Sequence, residues 1–178
     1  MQFLSSSTHM TRFRNCFFTL LCIIAFYSCG TQSNANTTGN EIQFEKLIYH
    51  SSRCDGTCPQ VDLQIDSNRI IIVNRVFFDS KGEIDSSRSG NFKGVLEPAG
   101  YDQFMKELQS ADFKNLKFPD IQCCDGVIKT IIVYSGGDRT YLKSMTPPPE
   151  ASAFISFLHQ IGTVMKLTTT TEVLNMEE

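Results

Sequence analysis

No stretch of this sequence is long and apolar enough to span a bilayer as a helix. The longest uncharged apolar run, Cys16–Tyr27, has 12 residues, against the roughly 20 that a spanning helix needs. There is also no surplus of positive charge, with 16 Lys+Arg against 19 Asp+Glu. Without the two arginines of the N-terminal segment the balance is 14 against 19, or −5. Neither sign gathers into a block, so the basic face that nucleic acid requires is missing. Histidine is scarce: of three, His9 lies near the N-terminus and only His50 and His159 remain beyond it. The sequence has no G-x-S-x-G, no H-E-x-x-H, no phosphate-cradling glycine loop and no EF-hand pattern. Nothing marks a Ser/His/Asp arrangement or a resident cofactor.

What is present begins with an address. Arg12 and Arg14 form a positive region, Cys16–Tyr27 is the apolar stretch, and Ser28-Cys29-Gly30 is small and cleavable. This is the layout of a secretory signal. Its end resembles the lipobox of bacterial lipoproteins, in which the cysteine thiol takes a diacylglycerol and the new amine is acylated. Phe26 and Tyr27 are larger than that pattern's usual residues. Cys29 is therefore the expected lipidation site, with residues 1–28 as the signal and the membrane as a partner through the N-terminal lipid. Ordinary cleaved secretion and a retained helix are the alternatives. Residues 29–40 are small and polar, a tether of roughly 20 Å. The absence of an acidic run after Cys29 points to the outer membrane, facing the periplasm.

Removing residues 1–28 from 178 leaves 150, a natural size for one domain. Glu41–His50 reads as a strand. Gln60–Asp66 alternates, with Val61, Leu63 and Ile65 on one face. Arg69–Phe78 is β-branched and aromatic, and Ser87–Phe92 is a further short strand. Pro98 opens a helix whose stripe is Tyr101, Phe104, Met105 and Leu108. Val127–Tyr134 and Arg139–Lys143 form a hairpin about Gly136-Gly137. A second helix over Glu150–Met165 buries Phe154, Phe157, Leu158, Ile161 and Met165. Residues 167–178 read as a polar, frayed tail. The expected fold is a two-layer α+β domain over 41–166, a mainly antiparallel sheet with two amphipathic helices on one face.

Four cysteines follow Cys29: Cys54, Cys58, Cys123 and Cys124. In an oxidising compartment an even count implies disulfides, and four cysteines allow three pairings. A Cys54–Cys58 bridge with Cys123 and Cys124 nearby is the favoured arrangement. A vicinal Cys123–Cys124 bond and pairing across the domain stay open. Cys54-Asp55-Gly56-Thr57-Cys58 also admits a redox dithiol. With His50 it admits zinc ligands, although no metal site is assigned. Asp125 is a candidate functional acid, although an aspartate in this setting is more often a turn residue at a strand entrance.

Cys54-x-Gly56-x-Cys58-Pro59 with Val61-Leu63-Ile65 resembles a bacterial family known as domain of unknown function 6438. Phe104-x-x-x-Leu108-x-x-Ala111-Asp112-Phe113-x-x-Leu116 is similar to that family's helix and its exit, and Asp125 matches its aspartate before a hairpin. The resemblance covers residues 42–165 and implies a small α+β domain with no assigned activity. Val61 stands where an aromatic is expected, Asn68 where a turn glycine is expected, and Cys123-Cys124 looks peculiar to this chain. The function expected is a non-enzymatic binding or envelope-interaction module with an unknown protein or small-molecule partner. The alternatives are a thiol redox protein using Cys54 and Cys58, or a metal-binding lipoprotein.

Overall fold

Two chain crossings over one face of a β-sheet organise the computed structural model, which describes residues 43–120 and 126–177. Strands β1 (Phe44–Ser51), β2 (Gln60–Asp66), β3 (Ile70–Val76) and β4 (Gly90–Val95) form an antiparallel meander. Helix α1 (Pro98–Ser110) then carries the chain back to β5 (Lys129–Ser135), which pairs antiparallel with β1. Strand β6 (Asp138–Ser144) returns as a hairpin. A 3₁₀ turn (Pro149–Ala151) runs into helix α2 (Ser152–Val164), and β7 (Thr168–Thr169) closes on β4. The order is β6-β5-β1-β2-β3-β4-β7, antiparallel throughout. The expected α+β class is what the chain adopts.

Alternation sorts each strand's side chains between the two faces. Leu47 and Tyr49, Val61, Leu63 and Ile65, Ile71 and Val73, and Ile131 and Val133 join Phe104, Leu108, Phe154 and Leu158 in one core. Both helices therefore cover the same face. Pro98 starts α1 because its missing N–H falls where no intrahelical partner exists. Helix α2 approaches the sheet closely at Gly162, where a Cβ would lie 2.4 Å from Val61 Cγ1. Glycine is there for space, despite its helix cost of roughly 1 kcal/mol.

Two turn details refine the sequence reading. Gly136 and Gly137 take φ of 60° and 80°, as a two-residue primed hairpin requires. In the β2–β3 turn, the left-handed residue is Arg69 (φ 68°), not Asn68. The Asp66 carboxylate holds it by accepting the N–H groups of Asn68 and Ile70, each at 2.9 Å.

The polar tail is not frayed. Thr168 and Thr169 pair with Lys93 and Phe92, Glu172 meets Lys93 at 2.6 Å, and Glu177 meets Lys46 at 2.6 Å and the Tyr134 hydroxyl. Lys93, Lys46 and Tyr134 point away from the helices, so the tail crosses the sheet's second face by charge complementarity. A hydropathy pattern carries no sign of that.

Candidate functional site

The ends of β1 and β2 that leave the core open a concavity beside α2. Tyr49 and Ser51 of β1 and Lys129 of β5 form its floor, with Val127 leading in. Ile155, Ser156, His159 and Gln160 of α2 form its roof, and Cys58-Pro59 its side wall. Its volume is about 480 Å³, within the range of small-molecule sites. Local geometry dictates these positions. Lys129 shares its face with Ile131 and Val133, and it sits opposite Ser51 in the β1–β5 register. His159 follows Ile155 by four residues, so both look down from one side of α2.

The electrostatics are one-sided. Among the described residues that line it there is no aspartate or glutamate. Burial pushes the Lys129 amine below its usual range, and no described carboxylate pairs with it. Burial, and then the Lys129 charge, pushes the His159 imidazole below its ordinary value of 6.5. Burial pushes the Tyr49 phenol up, and Ser51 opposes this. Tyr49 is 0 % exposed. Its hydroxyl makes no hydrogen bond of normal distance and angle; Ser51 is close enough to bias its ionisation without closing one. Buried polar groups are almost always satisfied, so an orphan donor at a pocket wall is unusual. Together the groups form an anion-receptive donor set with an apolar wall.

The side wall is covalently fixed. Cys54 and Cys58 are joined, with S–S 2.07 Å and Cα–Cα 5.5 Å. Gly56 lies between them at φ +155°, a backbone setting that L side chains rarely adopt, and its N–H donates to the Cys54 carbonyl at 3.0 Å. That accounts for the glycine inside C-x-G-x-C.

A family model for domain of unknown function DUF6438 matches residues 45–162. The chain belongs to the DUF6438 family. The match runs from β1 into α2 and contains every pocket residue named above. No curated protein matches the chain.

The other sequence candidates fall in different places. Cys29, Cys123, Cys124 and Asp125 lie outside the described residues. Cys54 and Cys58 bond to each other, so their sulfurs are not thiolate ligands. His50 turns to the face opposite the helices, where its Nδ1 pairs with the Asp62 carboxylate across β1–β2. That separates it from the cysteine wall, and among the described residues no cluster of His, Cys, Asp and Glu could hold a metal. His159, one of the two histidines beyond the N-terminal segment, lines the DUF6438 pocket. Lys129 and Tyr49 were not singled out. The parity of Lys129 with Ile131 and Val133 was the available signal.

Proposed function

We propose that this chain is an envelope lipoprotein, acylated at Cys29, whose DUF6438 domain is a non-enzymatic binding module with the α2–β5 pocket as its site. One observation carries the binding reading. Lys129, His159 and Tyr49 line a concavity in which no described residue supplies a carboxylate, and the buried Tyr49 hydroxyl lacks a partner. An enzyme using His159 as a base would want a carboxylate to orient the imidazole, and no described residue supplies one in this pocket. The lipid anchor is supported by Arg12 and Arg14, the Cys16–Tyr27 run and Ser28-Cys29-Gly30. No helix among the described residues is long and apolar enough to cross a membrane.

Metabolic labelling with an alkyne palmitate in a bacterial host tests the anchor. The full chain should take up label and shift to its processed size. Cys29→Ala should do neither, and a labelled Cys29→Ala protein would end the lipoprotein reading.

A thiol–disulfide exchange role is the second reading, because Cys58 borders the pocket. Cys54 follows a strand into a loop, however, with no helix N-terminus described behind it to stabilise a thiolate. Equilibration against dithiol buffers should give a potential below about −300 mV, the regime of structural disulfides. A value near −200 mV would move the domain to the redox class.

A further inference from the structure

The pocket's chemistry specifies the kind of ligand, given the reading of this pocket as the binding site. Its charged end is compact. Lys129 and Ser51 are cross-strand neighbours, Tyr49 stands two residues before Ser51 on the same face, and His159 lies close enough to Lys129 for their charges to interact. Val127, Ile155 and the Cys58-Pro59 wall supply the apolar lining. Phosphate groups are typically met by helix N-termini or arginine forks. Here α2 presents its side, and no described lining residue is an arginine. A single carboxylate asks for two or three donors and one positive charge, which is what converges.

We propose that the pocket takes an amphiphilic organic carboxylate, with its anionic head at Lys129, His159 and the Tyr49 hydroxyl and its apolar body along Val127 and Ile155. The head satisfies the orphan phenol and supplies Lys129 with a counter-charge that no described residue provides. Binding is coupled to a proton. In the free protein His159 is held below its ordinary pKa by burial and by Lys129. A carboxylate beside it favours the imidazolium and raises that pKa. The complex therefore takes up a proton, and affinity rises as pH falls from about 8 to about 6. Among the described residues the titratable groups facing His159 are Lys129 from β5 and Tyr49 from β1, and no described lining residue is acidic.

The test is an amide NMR titration of the mature chain, residues 29–178 carrying Cys29→Ser, with octanoate and with 1-octanol. Octanoate should shift Ser51, Lys129 and the 155–160 stretch first, and should bind roughly threefold or more tighter at pH 6 than at pH 8. Lys129→Met should weaken octanoate by about tenfold or more. His159→Gln should bind octanoate with little pH dependence, which decides the matter should Lys129→Met fail to fold. Acetyl-Leu-Leu as free acid and as amide separates the two sources of such a head. Free-acid binding that exceeds octanoate assigns a peptide C-terminus, and the reverse assigns a free acid. If 1-octanol binds as tightly as octanoate, or His159→Gln keeps the full pH dependence, the carboxylate assignment falls and the pocket remains. If neither octanoate nor 1-octanol moves these residues, both readings fall.

Discussion

Replacing Phe154 with alanine is expected to destabilise the domain by about 3–5 kcal/mol. Phe154 is 1 % exposed and joins the two helical segments to each other. Its ring lies 5.9 Å from that of Phe104 on α1 and 5.2 Å, edge-on, from that of Phe113 beyond α1. Phe104 continues the chain of rings to Phe44 of β1 at 5.1 Å. Truncation therefore removes buried area and two aromatic contacts worth about 0.5–1.5 kcal/mol each, and it leaves a hole where α1, α2 and the sheet meet. A domain of this size has roughly 5–15 kcal/mol in total, so the variant should lose much of its margin. Phe154→Leu, which refills most of the volume, should lose less than half as much. Urea unfolding by circular dichroism reads both. A loss under about 1 kcal/mol for Phe154→Ala would show that the ring cluster is not the keystone of the core.

The helices and most strands were legible because burial imposes a period on a single element. Val61, Leu63 and Ile65 report the sheet face of β2, and Tyr101, Phe104 and Leu108 report the sheet side of α1, without reference to anything distant. β2 was accordingly placed residue for residue at Gln60–Asp66. β7 was not legible, since two threonines carry no period and their strand character comes from pairing with Phe92 and Lys93. The tail's course likewise depends on Lys46 and Lys93, which are far away in sequence. The pocket lies between these cases. The parity of Lys129 and the turn spacing of His159 each place one residue on a buried face. That the two face one another follows from the β1–β5 pairing and the path of α2, and neither is written locally. The cysteine motif is local in sequence and therefore conspicuous, whereas Lys129 and His159 belong to a group assembled from three elements; the motif proves to be the pocket's wall.

Arg75 belongs to the same group of residues whose role only the assembled fold reveals, and Arg75→Ala should cost about 2–3 kcal/mol. Its parity with Ile71 and Val73 turns it toward the helix layer at the rim of the core. There its Nη1 donates to the carbonyls of Gly162 at 3.4 Å, Thr163 at 3.2 Å and Met165 at 3.5 Å. These are carbonyls at the end of α2, including ones that no later helical N–H can satisfy. The guanidinium also lies 4.1 Å over the Phe92 ring. Charged hydrogen bonds contribute about 1.5–3 kcal/mol net, and a cation at a helix C-terminus about 0.3–1 kcal/mol more. Against these stands the cost of burial, which lowers the guanidinium's pKa and leaves Nε without a partner. The opposing contributions bring the expected loss to the stated range. Arg75→Lys should recover less than half of it, because an ammonium lacks the planar fork that lies on Phe92 while reaching several carbonyls. The loss should be local before it is global. Hydrogen exchange should quicken over the last turn of α2 and in β7, which follows within a few residues, while the β1–β2–β3 amides stay protected. Uniform quickening across the sheet, or a lysine variant as stable as the parent, would show that Arg75 acts through its charge alone and not as the clamp that holds α2 against β3.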